Sequence, residues 1–340
     1  MKKKYLILTV FAIVFTACET DFDVNASWEE VTVVYGLLDE AKELQQVKIS
    51  KAFLGEMDAL QMAQYADSIN FGADDLDVKI IRVKSNGDTD TITLFEVLTI
   101  RKEGDFHDSI MIYSFDNDNE FLKSKNATYD LLIENKVTGN KVSAKTKVIT
   151  NFDWYNFDPK YDIGFYKNDL SDFHFKTISW NSVPEGSIYQ LNVVFNYSEE
   201  NLQTSEIIYK SVNWLQGIES FSSRGMSVKL DGEDFFNYLR LHIDQDNDVR
   251  RKYESLYLEM TVGSEELETY VTINKPVTGL VQERPQYTNI NNGIGLFSTR
   301  YTHSDRIGRE FDSDLRGLNS ATHFYINNML ARNFVYPFDF

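Results

Sequence analysis

One thiol, five imidazoles and two dense acidic runs are the side chains here that could attack a substrate or hold a metal. The thiol, Cys18, ends an apolar stretch, Tyr5 to Phe15, that follows the basic start Met1-Lys2-Lys3-Lys4. Basic start, short apolar run and small residues (Thr16, Ala17) together are the layout of a secretory signal. The run is too short to cross a hydrocarbon core as a helix, which takes roughly 20 residues. The imidazoles, His107, His174, His242, His303 and His323, are scattered, and no pair stands at the i, i+4 spacing of a zinc site. Each is expected at a surface or an edge. The acidic runs, Asp116–Glu120 and Asp244–Asp248, offer alternating oxygens to a hard cation. A calcium loop of the EF-hand type also needs glycine at its sixth position and glutamate at its twelfth. Those positions hold Phe121 and Ala127 in one run, Val249 and Ser255 in the other, so solvated loops are expected. The sequence has no G-x-S-x-G elbow, P-loop or G-x-G-x-x-G fingerprint, so neither a catalytic serine of that type nor a cofactor is expected.

A different chemistry is offered by Phe152, Trp154, Tyr155, Phe157, Tyr161, Phe165 and Tyr166, interleaved with Asp153, Asn156, Asp158 and Asp162. Flat sugar faces stack on aromatic rings while Asp and Asn bind hydroxyls, which makes Trp154, Tyr155, Phe157 and Tyr161 candidate glycan- or ligand-binding residues. The same rings would equally fill a seam between two domains, where large apolar side chains contribute most. Both readings stand at the level of sequence. Three acid-hydroxyl-aliphatic triplets, Asp67-Ser68-Ile69, Asp90-Thr91-Ile92 and Asp108-Ser109-Ile110, match short sites of O-linked glycan attachment.

Phe15-Thr16-Ala17-Cys18 resembles the bacterial lipobox, in which the thiol is diacylated, the chain is cut before it and the new amine is acylated. Three acyl chains exceed the two signals needed for stable anchoring. The expected organisation is a signal peptide over 1–17 and a lipidated tether over 18–29. Glu19, Asp21 and Asp23 resemble the acidic export signals that place lipoproteins of Bacteroidota on the outer face of the outer membrane. Removal of 1–17 takes Lys2, Lys3 and Lys4 and no acid, so the formal charge moves from -18 to -21. A surface this acidic is repelled by phosphate backbones, which excludes nucleic acid as a partner.

The rest of the chain must fold on packing alone, since no second cysteine exists to make a disulfide. Val47 and Ile49 alternate with Lys48 and Ser50, the period of a half-buried strand. Asn86-Gly87 and Thr138-Gly139-Asn140 each separate two apolar runs, as hairpin turns do. Short strands with such turns predict a mainly β fold of two β-sandwich domains, immunoglobulin- or fibronectin III-like, with a few short helices. The first is expected over 30–150, with a helical insertion near 56–69. The second is expected over 151–340. There Phe175–Pro184 and Ser187–Phe195 resemble early fibronectin III strands, with Ile178, Trp180, Tyr189, Leu191 and Val193 pointing inward. Asp231 is placed to cap a helix near 232–245, another is expected near 320–331, and Leu256–Val262 and Thr269–Ile273 read as strands.

The lipobox, “VVYGLLDE…VKISKAF”, “YDLLIENKVTGNKVSAKTKVIT” and “NNGIGLFSTR” together resemble a family of uncharacterised Bacteroidota outer-membrane lipoproteins. Its members often neighbour TonB-dependent transporters. The resemblance implies a non-enzymatic, lipid-anchored protein exposed on the cell surface, binding or assisting such a transporter. The alternative is a surface glycan- or ligand-binding lipoprotein; an envelope hydrolase ranks third. The resemblance carries no catalytic residue.

Overall fold

The computed structural model describes residues 29–54, 69–100, 109–221, 225–275, 286–308 and 317–335. The leader 1–17, Cys18, Glu19, Asp21 and Asp23 lie outside them, as do Asp67, Ser68, Asp108 and, Ile69 apart, the helix expected at 56–69. The first half contributes β1 (Glu29–Asp39), β2 (Leu44–Leu54), β3 (Leu76–Val83), β4 (Thr89–Thr93), β5 (Phe95–Ile100), β6 (Ser109–Asp116), β7 (Thr128–Asn135) and β8 (Lys141–Lys147). The second contributes β9 (Trp154–Tyr155), β10 (Phe175–Trp180), β11 (Ile188–Asn201), β12 (Ile207–Ser220), β13 (Met226–Asp231), β14 (Val249–Gly263), β15 (Ile290–Asn291) and β16 (Ile294–Arg306). Helices α1 (Gly232–His242), α2 (Glu265–Asn274) and α3 (Ser320–Asn328) complete the described chain. The fold is mainly β, as the alternation and turn residues predict.

One eight-stranded sheet, ordered β12-β11-β14-β16-β1-β2-β6-β5, backs the whole molecule. Its first-half strands turn Val34, Leu38, Val47, Ile49, Tyr113 and Phe115 toward a core shared with the five-stranded sheet β15-β8-β7-β3-β4. Sheet faces sheet across this core, because both carry an apolar face on alternate residues. The second core lies between Leu191, Val193, Phe195, Leu258 and Met260 of the large sheet and a lid made of β13-β10-β9, α1 and α3. The clusters part between Val148 and Ile149, with Ile290 and Phe297 returned to the first by β15 and β16.

That return explains the glycines of “NNGIGLFSTR”. β16 runs parallel to β1, with Gly295 opposite Val34. Gly295 has φ +118, and a Cβ there would overlap the Val34 carbonyl oxygen. Gly295→Ala is therefore expected to destabilise the fold by at least about 2 kcal/mol, strain and overlap acting together. Chemical denaturation checks this; a wild-type midpoint would contradict it.

The hairpin turn at Asn86-Gly87 forms as expected, with Gly87 at φ 89 and its amide on the Lys84 carbonyl at 2.9 Å. Ile178, Trp180, Tyr189, Leu191 and Val193 are all buried. Asp231 caps α1, its carboxylate accepting from the Glu233 amide at 3.0 Å. Two expectations fail. Thr269–Ile273 is not a strand but the end of α2. Leu267, Tyr270 and Val271 fall at i, i+3 and i+4 and lie beside Tyr35 and Leu296 on the outer face of the large sheet, and that packing outweighs β-branched propensity. His323 is no surface residue either: it is 1 % exposed within α3, its ring against Tyr253. The acidic run at 244–248 is exposed as expected, while the other enters a 3-10 turn, Asp118–Lys123, that buries Phe121 and Leu122.

Candidate functional site

β9 is only two residues long, and consecutive strand residues face opposite ways. Trp154 therefore turns toward the large sheet and Tyr155 away from it. The Trp154 indole N–H donates to Asp305 Oδ2 at 2.7 Å, and the same oxygen lies 2.7 Å from His303 Nε2. Ring contacts join Trp154 to Phe152 (4.9 Å), Phe157 (5.6 Å) and His303 (6.1 Å). Phe152 and Phe165 are fully buried and Tyr166 nearly so, all in the second core. Tyr155 is 52 % and Tyr161 59 % exposed. Trp154 and Phe157 meet edge to face, with 80° between their planes, and pack on the core, while Tyr155 faces away from them.

This arrangement makes a prediction. Trp154→Ala should cost about 2–3 kcal/mol, somewhat less than the ~3–5 of a fully buried ring. Tyr155→Ala should stay within about 0.5 kcal/mol. Denaturant midpoints of both variants test it, and an undiminished midpoint for Trp154→Ala would favour the platform reading over the core one.

The long free edge of the large sheet was not anticipated from sequence. β12 runs for 14 residues against β11 and pairs with no strand on its other side among the described residues. Ile207, Ile208, Tyr209, Leu215 and Ile218 are exposed along it, Tyr209 to 75 % and Leu215 to 58 %. β12 carries no proline, and Lys210, its only cation, is held by Glu199. Native edges are usually blunted by short length, lysine, proline, a bulge or cover; this one is long, with one lysine and a register shift opposite Gln190–Asn192. Two bonds set the direction of its backbone. The Asn201 amide donates to the Glu206 carbonyl at 2.9 Å, so even-numbered residues face β11. The Asn213 carbonyl accepts instead from the Tyr238 hydroxyl at 2.8 Å, on the outer side. In an antiparallel pair a residue turns both its N–H and its C=O the same way, so Ile207, Tyr209 and Ser211 present theirs outward.

A cleft of about 570 Å³ lies where the two halves meet, lined by Thr146, Lys147, Glu185, Ser187, Phe221 and Glu266 among others. Its polar groups are largely spent on one another. Lys147 Nζ lies 2.8 Å from Glu185, the Ser264 hydroxyl donates to Glu266, and the Ser187 hydroxyl to Glu268. No group of three or more His, Cys, Asp or Glu side chains suited to a metal occurs among the described residues. No helix among them is long and apolar enough to cross a membrane. No protein-family model matches the chain, and no curated protein matches it.

Proposed function

We propose that this chain is a non-enzymatic lipoprotein of the outer membrane, anchored through Cys18 on the cell surface, that works by docking a partner along β12. The partner is a TonB-dependent transporter, which offers an extended apolar segment to the free edge. Strand addition supplies affinity through main-chain hydrogen bonds and specificity through alternate side chains. The observation that carries this reading is the long edge itself, with outward amides at Ile207, Tyr209 and Ser211 beside Ile207, Ile208 and Tyr209 side chains. It also favours an accessory role over hydrolysis, since a docking strand needs no nucleophile.

A proline pair tests it. Ser211→Pro removes an outward N–H and should leave stability within about 1 kcal/mol, because proline is tolerated on an edge with its nitrogen toward solvent. Val212→Pro removes a bond to β11 and should cost about 3 kcal/mol or more. Ser211→Pro should nevertheless lose co-isolation with the transporter from solubilised outer membranes. Equal damage from both prolines would refute the edge geometry, and undiminished co-isolation of Ser211→Pro would refute docking by strand addition.

A further inference from the structure

The edge of β12 is not open along its whole length. From α1, Tyr238 reaches across to the strand, and its hydroxyl donates to the Asn213 carbonyl at 2.8 Å, on the side away from β11. That ring is fixed from two sides. It lies 6.2 Å from the ring of Trp214, which packs on the second core, and stacks on His242 at 3.9 Å with 25° between planes. His242 Nδ1 in turn lies 2.9 Å from the Tyr238 carbonyl oxygen, which keeps the imidazole over the ring. A strand added to β12 at this level would have to place a backbone N–H where the Tyr238 hydroxyl sits.

Just beyond, the edge also changes shape. Asn192 stands opposite Leu215 and Gln190 opposite Ile218, so Gln216 and Gly217 face Leu191 alone. Such a bulge bends its strand and sharpens the twist. At the other end, β12 leaves the turn from β11 at Ile207. Between these limits Ile207, Tyr209 and Ser211 each turn one N–H and one C=O outward. Their side chains are graded: Ile207 and Tyr209 are exposed, with Ile208 on the opposite face, and Ser211 is small and polar. We propose that Tyr238 is a positioning residue for the docked segment, closing the β12 edge at Asn213 so that the transporter pairs with residues 207–211 and turns away beside α1. Resting on the docking reading of β12, this stop defines the partner's segment. It is about five residues long, an ordinary strand length, with β-branched or aromatic side chains opposite Ile207 and Tyr209 and a turn beside Tyr238.

Photo-reactive residues at Tyr209 and at Leu215, both exposed on the same sheet face, test the stop in the full chain in living cells. With Tyr238 in place, the transporter adduct at position 215 should be about a tenth or less of that at 209, because pairing has ended before it. Tyr238→Leu keeps an apolar contact with Trp214 but is too short to reach Asn213. It should raise the 215-to-209 ratio about fivefold or more, as should Tyr238→Ala, since the freed edge lets the added strand run on. The adduct at 209 in the same variants reports that the chain still folds and docks. Equal adducts at 209 and 215 with Tyr238 present, or a ratio that neither variant raises, would overturn the stop while leaving docking along β12 intact. Loss of the 209 adduct in both variants would also overturn it, since pairing at 207–211 needs no stop. No adduct at 209 with Tyr238 in place marks failure of the docking reading itself, and the stop falls with it.

Discussion

Arg251→Ala is expected to destabilise the folded chain by about 3–5 kcal/mol, the range for removing one partner of a buried ion pair. The Arg251 side chain is 2 % exposed, and its Nε donates to Glu199 Oε1 at 2.8 Å. Its Nη1 reaches the Arg332 carbonyl at 2.8 Å, and its backbone binds Asn333 and Val335, tying the chain end to β14. Glu199, 8 % exposed, would keep only Lys210 as a charged partner among the described residues. Burial by itself raises the Glu199 carboxyl, but hydrogen bonds from Lys210 and Arg251 more than reverse it and hold it below the ordinary range. A carboxylate so depressed adds stability above its unfolded pKa of about 4.3, and that contribution is lost as pH falls through the folded value. The gap between wild type and Arg251→Ala should therefore be widest near neutral pH and shrink below about pH 4. The double variant Arg251→Met, Glu199→Met, which buries no charge, should recover much of the loss. Guanidinium unfolding at neutral and acid pH reads all three. A pH-independent gap, or a double variant no better than the single one, would contradict this account of the cluster.

Cys18→Ser is expected to accumulate as an unprocessed, unlipidated precursor. Anchoring by acyl chains scales with buried methylenes at about 0.8 kcal/mol each, so losing every chain removes the whole acyl contribution to anchoring. Metabolic labelling with palmitate should mark wild type and leave the variant unlabelled and longer by its leader. A variant that matured and stayed membrane-bound would overturn the anchor.

The strands best read from sequence are those with one face in water. β2, β7 and β8 alternate cleanly, and their turns carry glycine or asparagine where positive φ is needed, as Gly139 does at φ 75. β12 was missed because Ile207-Ile-Tyr209 and Trp214-Leu215 place apolar residues on both faces, which erases the period of two. α2 was misread because a β-branched run looks like a strand until Leu267, Tyr270 and Val271 are seen packing beside Tyr35. Among the aromatics, sequence could not tell Trp154, bound through its N–H to Asp305, from Tyr155 one residue on. The distinction depends on a two-residue strand and on β16, some 150 positions away, as the 151-residue separation of that bond shows. Asn192, Asn213, Glu259 and Ser304, hydrogen-bonded in a row across β12, β11, β14 and β16, likewise meet only through register.

Docking along β12 is the central claim, and photo-crosslinking in living cells tests it most directly. A photo-reactive residue at Tyr209 should give an adduct with a TonB-dependent transporter, while the same residue at Thr91, on the edge strand β4 of the five-stranded sheet, should give none. No adduct at position 209, an adduct only with a second copy of the chain, or equal adducts at both positions would contradict the account.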